Sequence, residues 1–130
     1  MSVQESATTN APAAVWPLEV RLFREAGALE IDFDDGATFR LPAEYLRVES
    51  PSAEVQGHGP SQKKIVAGRR HVRIDAIEPV GNYAIRIRFD DNHDTGIFSW
   101  TYLRELGVNQ KEKWDAYLAA LLYRGLSRDP

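Results

Sequence analysis

The sequence contains no cysteine among its 130 residues, and this absence removes several classes of site at once. Disulfides, thiolate nucleophiles, cysteine-ligated iron–sulfur clusters and cysteine-based zinc sites are all excluded. Long apolar runs are missing too, since none approaches the roughly 20 residues that cross a bilayer. We therefore expect no membrane partner and no bound cofactor, and the cytoplasm is the default compartment.

An excess of one charge is also absent. Sixteen lysines and arginines stand against nineteen aspartates and glutamates, which leaves a formal net charge of −3. A balance this near neutrality gives no sign of a nucleic-acid partner. The hydrophobic content of 43% and the charged content of 27% are ordinary for a globular protein. The length fits one domain.

The two ends of the chain differ from its middle. Residues 1–16 are small, polar and rich in alanine, serine and threonine, and they lack the basic start and apolar stretch of a secretory signal. We predict a disordered tail over 1–16. Residues 17–126 are assigned to a single domain, and we expect residues 127–130 to fray.

An internal repeat is the most informative pattern. The segment IDFDDGATFRLPAEYLR (31–47) resembles IRFDDNHDTGIFSWTYLR (87–104). Each half reads as a strand with alternating apolar residues, an Asp-Asp turn, a short strand and a helix that ends in Tyr-Leu-Arg. We predict an α+β fold in which an antiparallel β-sheet is built from two similar hairpin–helix units, with a C-terminal helix added.

Helix and loop signals surround the second unit. Ser99 suits the N-cap of a helix that Gly107 ends, and residues 50–68 form a long loop punctuated by glycine and proline. The apolar residues that recur at helical spacing near the C-terminus are Trp114, Tyr117, Leu118, Leu121 and Leu122. This spacing predicts a final helix that lays one apolar stripe on the core.

Few residues could carry chemistry. His58 lies in the glycine-rich loop near Glu54, and His93 lies in an acidic turn that includes Asp91. A zinc or iron site needs three or four converging donors, and nothing in the spacing forces convergence. Acidic pairs at hairpin tips are solvated alike, which disfavours general acid–base catalysis. We expect no enzymatic activity.

Basic residues are concentrated in the loop and the two central strands. They are Lys63, Lys64, Arg69, Arg70, Arg73, Arg86 and Arg88. RNA or DNA binding needs such a patch together with exposed aromatic residues for stacking, but the aromatics here fall on the apolar face of the strands. We therefore expect cross-strand ion pairs with Glu30, Asp32 and Asp75, and no nucleic-acid partner.

The run from LEIDFDDGATFRLPAEYLR through FDDNHDTGIFSWTYLRELG resembles the γ-butyrobetaine hydroxylase N-terminal-like domain, over about Leu18 to Gly107. The resemblance implies a small stand-alone bacterial member. The family also includes domains attached to a dioxygenase domain or to P-loop carriers of iron–sulfur clusters. No segment of these 130 residues resembles the dioxygenase domain, so we do not expect betaine hydroxylation.

The resemblance also bears on metal binding. The hydroxylase members hold a zinc ion with three clustered cysteines and one histidine. By resemblance, His93 takes the histidine position, and Ser50, Ser52 and Val55 take the approximate cysteine positions. Neutral hydroxyls are poor zinc ligands and valine is none, so the zinc site is not inherited.

The function that these observations favour is a non-catalytic interaction or adaptor domain with a protein partner. By resemblance, it would be accessory to iron–sulfur or metabolic enzymes. The candidate contact residues are Trp100, Tyr102, Arg86 and Arg88. The alternative is a residual metal- or small-ligand-binding protein that uses His58 and His93 as metal ligands. Homo-oligomer formation is left open.

Overall fold

A computed structural model describes residues 15–130 of the chain. Most of the tail predicted over 1–16 lies outside the described residues. Val15 packs against the core, and Trp16 is paired with a turn of the first sheet. The backbone N–H of Asp34 donates to the Trp16 carbonyl at 2.9 Å, and the Trp16 N–H donates to Asp34 Oδ1 at 3.2 Å. Residues 15 and 16 are therefore in contact with the first unit.

Six strands form two three-stranded antiparallel sheets. The first sheet contains β1 (Pro17–Phe23), β2 (Ala28–Phe33) and β3 (Thr38–Pro42) in that order. The second contains β4 (Ile74–Val80), β5 (Ala84–Phe89) and β6 (Ile97–Ser99), also in sequence order. The repeat in the sequence is thus a repeat in the structure, with one sheet for each unit.

Each sheet leads directly into a helix. Helix α1 (Ala43–Val48) follows β3, and α3 (Trp100–Val108) follows β6. The segment between the units contains a short helix α2 (Ala53–Gln56) and a 3-10 turn (Pro60–Gln62), and α4 (Gln110–Arg124) ends the fold. The predicted α+β class, the two similar units and the C-terminal helix are confirmed. None of the described helices is long and apolar enough to cross a membrane.

One hydrophobic core is shared by both sheets and their helices. In β2, Leu29, Ile31 and Phe33 are buried, while Glu30 and Asp32 between them point outward. Strand β5 repeats this alternation, as expected for a sheet with one face on the core. The cluster is completed by Phe98 and by helical side chains that include Tyr45, Leu46, Leu103 and Leu106.

The sequence suggested that Gly107 ends its helix, but the structure shows that the helix continues. Helix α3 continues through Gly107 and ends at Val108, with Asn109 as the C-cap. The aromatic ring of Phe39 occupies the space that a Cβ on residue 107 would need. The glycine therefore permits a close approach between α3 and β3, which is a packing role and not a capping role.

Residues 127–130, for which we expect fraying, contact other parts of the fold. Arg128 donates from Nε and Nη2 to the two carboxylate oxygens of Glu44, at 2.9 and 2.6 Å, and its guanidinium lies over the Trp114 ring. The Gly68 N–H also donates to the Ser127 carbonyl at 2.9 Å. Because Glu44 is only 6% exposed, its charge needs a partner, and Arg128 provides it.

The cross-strand ion pairs form, but with partners other than those predicted. Glu30 pairs with Arg21 and Arg40 within the first sheet. Arg86 and Arg88 pair with Glu78 at 3.7 and 3.5 Å within the second sheet. The expectation of one continuous sheet placed these arginines beside the acids of β2. With two separate sheets, the strand arginines Arg21, Arg40, Arg86 and Arg88 pair inside their own units.

Candidate functional site

A buried polar network lies where the segment after α1 meets the turn between β5 and β6. Ser50 follows α1, and His93 lies in the turn, where Asn92 adopts a positive φ of 70°. The hydroxyl oxygen of Ser50 lies 2.9 Å from Nε2 of His93. Nδ1 of His93 lies 3.0 Å from Oε1 of Glu54, which belongs to α2. We call these three residues the Ser50–His93–Glu54 network.

The direction of the hydrogen bonds follows from the donor inventory. An ionised carboxylate only accepts, so the proton between His93 and Glu54 belongs to Nδ1. In a neutral imidazole the other nitrogen is then an acceptor, and the Ser50 hydroxyl donates to it. Burial lowers the pKa of His93, and the positive charge of Arg47 adds to this effect, whereas Glu54 acts in the opposite direction. The neutral form of His93 is therefore the favoured one.

Short-range contacts hold the segment that carries Ser50 and Glu54. Ser52 is the N-cap of α2 and accepts from the Glu54 N–H at 3.1 Å. Its hydroxyl also lies 2.7 Å from Oγ1 of Thr95, on the turn that bears His93. Nε2 of Gln56 donates to the Ser50 carbonyl at 2.8 Å. The segment and the turn are thereby fixed to each other by side-chain hydrogen bonds.

An ion-paired aspartate supports the turn from the other side. Asp91 Oδ2 accepts from Nε of Arg47 and from Nε of Arg69, both at 2.7 Å, and its Oδ1 accepts from the His93 N–H at 3.1 Å. Burial alone would raise the pKa of Asp91, but these hydrogen bonds outweigh it and lower the pKa. Asp91 is therefore a partly buried anion that fixes the backbone of His93.

The network has the order of a serine nucleophile, a histidine base and an orienting acid. Ser50 is nevertheless fully buried at 0% exposure, and His93 is 5% exposed. The backbone of Gly96 covers the hydroxyl so closely that a Cβ there would lie 2.5 Å from Ser50 Oγ. Glu54, the orienting acid, has a side chain that is 62% exposed. A substrate therefore cannot reach the Ser50 hydroxyl. The network instead connects the segment that carries Ser50 and Glu54 to the turn that carries His93.

The comparisons with known proteins identify the family. A family model described as "Gamma-butyrobetaine hydroxylase-like, N-terminal" matches residues 20–104. The chain belongs to this family. No curated protein matches it.

Solved structures agree with this assignment. Two structures, each described as the NMR solution structure of a protein, share 45% and 43% identity with the chain, with TM-scores of 0.79 and 0.77. The first match covers 95% of this chain and 92% of the other, and the second covers 88% and 90%. A crystal structure from Acidithiobacillus ferrooxidans, described as a protein with unknown function of the DUF971 family, shares 44% identity. That match covers 70% of this chain and 91% of the other, with a TM-score of 0.60.

The positions assigned by resemblance to the zinc ligands of the γ-butyrobetaine hydroxylase-like family come together in this chain. Ser50 contacts His93, the Ser52 N–H donates to Ser50 Oγ at 3.3 Å, and Val55 is buried at 2% exposure. The chemistry of these side chains does not fit a zinc ion, since they offer one imidazole, two neutral hydroxyls and an aliphatic group. In this chain, Ser50, Ser52 and His93 are connected to one another by hydrogen bonds.

His58 takes no part in the network. Its side chain is exposed, and its backbone N–H donates to Oε1 of Gln62 at 3.1 Å. Within residues 15–130, no three histidine, cysteine, aspartate or glutamate side chains are placed to hold a metal ion. The assignment of His58 and His93 as metal ligands stays a prediction.

The four predicted contact residues differ in exposure and in the hydrogen bonds that they make within the chain. Trp100 is partly buried and donates from Nε1 to the Asn82 carbonyl at 2.9 Å. The hydroxyl of Tyr102 donates to the Glu49 carbonyl at 2.5 Å, and burial raises its pKa above the ordinary value. Arg86 and Arg88 have side chains that are 45% and 52% exposed. Of the four, the two arginines have the side chains that are about half exposed.

Sequence reasoning missed the exposed apolar side chains of the last helix. We predicted that Leu118 and Leu122 lie on the core, but they are 37% and 83% exposed, and Tyr123 is 90% exposed. Only Tyr117 and Leu121 of that stripe are buried. At 100° per residue, the apolar residues between positions 114 and 123 cover more than half of the helix circumference. An apolar surface this wide indicates that the core covers only part of it, and this was the signal that sequence reasoning could have used. We call Leu118, Leu122 and Tyr123 the outer face of α4.

Proposed function

We propose that this chain is a non-catalytic binding domain that contacts a protein partner through the outer face of α4. The observation that carries the proposal is the exposure of neighbouring apolar side chains on α4. Leu118 and Leu122, four residues apart, are 37% and 83% exposed, and Tyr123 is 90% exposed. Leu126, just beyond the helix, is also 42% exposed. Contiguous apolar groups on a monomer are typical of an interaction surface.

The non-catalytic part of the proposal is supported by the closed polar network. Ser50 and His93 are the residue types that nucleophilic catalysis uses, but neither offers its polar atoms to a substrate. His93 uses both ring nitrogens in contacts with Ser50 and Glu54. Domains of this family occur beside dioxygenases and carriers of iron–sulfur clusters, according to the resemblance, so such enzymes are the first partners to test.

The experiment is affinity capture with the full chain and a matched pair of variants. Leu122→Gln combined with Tyr123→Gln removes the apolar groups while keeping good helix formers in α4. Leu18→Gln is the control, because Leu18 is 71% exposed on β1 and lies on a different element. We expect a partner of defined stoichiometry to be captured by the wild type and the control, and to be lost with the α4 double variant.

Light scattering on the purified proteins covers the case of a second copy as the partner. A dimer that dissociates only in the α4 double variant supports the proposed surface. The proposal is overturned if wild type and double variant capture the same proteins, or if the purified chain turns over a substrate in a reaction that requires His93.

A further inference from the structure

A groove runs along the side of α4 that carries Ala116 and Ala120. It lies between α4 and the segment 63–66, and its volume is about 270 Å³. Val48 and Tyr117 are buried at its base, and the lining side chains are mostly apolar. Ala116 and Ala120 form the helical wall, where their small size leaves the space open.

The groove is held open by the fold. The Tyr117 hydroxyl donates to the Val66 carbonyl at 2.6 Å, which links the two walls. Burial raises the pKa of Tyr117 to about 12, so the hydroxyl keeps its proton at neutral pH. The Lys64 N–H donates to the Val55 carbonyl at 2.7 Å and fixes the other wall to α2. A preformed groove spares its ligand the cost of ordering the protein.

The rim of the groove carries positive charge. Lys63, Lys64 and Lys113 line it together with one acid, Glu49, and Lys113 also pairs with Glu105 at 3.9 Å, so three positive charges against two negative ones leave +1. Glu49 is 5% exposed and is already paired with Lys63 at 2.8 Å. The chain as a whole has a net charge of −3, so the rim has the sign opposite to that of the molecule. An anionic group is the complement of this rim.

We propose that this groove binds a peptide segment of a protein partner in which apolar side chains stand between carboxylates. The inference rests on the proposed function and specifies the partner's chemistry. The volume is smaller than the roughly 300–1,000 Å³ of most small-molecule sites, and it suits the insertion of a few side chains. Apolar groups would contact Val48 and Ala120. Carboxylates would pair with Lys64, and with Lys113 in competition with its loose partner Glu105 at 3.9 Å.

The test is fluorescence anisotropy of the full chain with a panel of labelled synthetic peptides. Each peptide carries a leucine and a phenylalanine between pairs of aspartates, and the panel varies the spacing between the two apolar residues. In one set of control peptides the aspartates become asparagines, and in another the apolar pair becomes alanine. We expect at least one peptide of the panel to bind, and each control to bind about tenfold more weakly or worse.

Three variants locate the binding. Lys64→Glu reverses a rim charge, and Ala120→Trp fills the groove from a position on α4, so we expect each to weaken binding by about tenfold or more. Lys111→Glu is the matched control, because Lys111 lies on the same helix with an 88% exposed side chain and pairs with Asp115 outside the groove. Thermal unfolding shows whether each variant is folded, and either groove variant suffices for the test.

The outcomes separate this inference from the proposed function. It is overturned if no peptide of the panel binds, if asparagine peptides bind as well as aspartate peptides, or if both folded groove variants bind normally. Tighter binding of a labelled RNA oligonucleotide to the same lysines also overturns it. If the partner is lost with the α4 double variant but retained by both groove variants, the binding function stands and the peptide groove fails.

Discussion

The hydroxyl oxygen of Ser50 lies 2.9 Å from Nε2 of His93, although 43 residues separate them in the sequence. Both residues are buried, and Glu54 binds the other ring nitrogen. Water therefore cannot easily replace a lost partner at this point. The structure therefore predicts that the loss of this contact lowers the free energy of unfolding.

Ser50→Ala leaves Nε2 of His93 buried without its donor. We expect the free energy of unfolding to fall by about 1–3 kcal/mol, the usual cost of an unsatisfied buried polar group. Urea unfolding monitored by circular dichroism measures the change. Ser61→Ala is the control, since Ser61 is exposed, and it should leave the stability unchanged. Equal effects of the two substitutions would contradict the role of the network.

The lowered pKa of His93 predicts how stability depends on pH. Because the folded state takes up the His93 proton less readily than the unfolded state, this residue's contribution is fully present above the unfolded pKa of about 6.5. It is lost as the pH falls below that value toward the folded pKa. We expect the free energy of unfolding to fall on acidification from pH 7 to 5, by an amount that urea titrations at each pH can measure.

Two variants assign this pH dependence. His93→Gln should reduce the loss of unfolding free energy between pH 7 and 5. His58→Gln should leave this loss unchanged, because His58 is exposed and lies outside the network. The pKa of Asp91 is also lowered, but its contribution is lost only below the unfolded aspartate pKa of about 3.9, outside this range. An unchanged slope in His93→Gln would show that other groups cause the effect.

Gly107→Ala tests the close approach of Phe39. In an exposed helix this change stabilises, since alanine is favoured over glycine by about 1 kcal/mol. Here the new Cβ meets the Phe39 ring, and we expect a loss of about 1–3 kcal/mol from overpacking. A double-mutant cycle with Phe39→Leu, followed by urea unfolding, should show that the two changes together cost less than their sum. Simple additivity, or a stabilised Gly107→Ala, argues against the contact.

Arg128→Ala tests the C-terminal anchor. It leaves the buried carboxylate of Glu44 without its partner, and we expect a loss of about 2 kcal/mol or more, measured by urea unfolding. Arg70→Ala is the matched control, because Arg70 pairs with the exposed Asp129 in the same tail, and such pairs contribute about 0–1 kcal/mol. Adding Glu44→Gln to Arg128→Ala should recover part of the loss. Similar costs for the two arginine variants would contradict a special role of Glu44.

Metal removal should have no effect on stability. The side chains around His93 are hydroxyls, an aliphatic group and one carboxylate, so we expect the melting temperature to be unchanged by a chelator or by added zinc or iron. Differential scanning fluorimetry and elemental analysis of the purified protein measure this. Zinc that raises the melting temperature of the wild type but not of His93→Ala would favour the metal-binding alternative.

Local patterns predicted much of the fold. The alternation in Leu29, Ile31 and Phe33 and its repetition in β5 correctly indicated strands with one buried face, and the repeated Asp-Asp turns indicated two equivalent units. The division into two sheets could not be read from these patterns, because alternation shows which residues face a core and not which strands pair. The ion pairs of Arg86 and Arg88 were assigned to wrong partners for that reason.

The long-range contacts needed the structure. The proximity of Ser50 and His93 followed from family resemblance, since nothing in their spacing requires it. The burial of α4 was overestimated, because periodicity reveals an apolar stripe but not the width of the surface that covers it, and Leu122 lies beyond that surface. The anchoring of Arg128 was missed, since a polar end gives no sign that a buried carboxylate such as Glu44 lacks a nearer partner.

The bond between Arg128 and Glu44 has a consequence for the order of folding. The two residues lie 84 positions apart, so the contact joins the first hairpin–helix unit to the segment after the last helix. A contact between such distant positions costs loop-closure entropy unless the chain between them is already folded. We therefore expect this pair to form late in folding, after the second sheet and α4 have brought the two segments together.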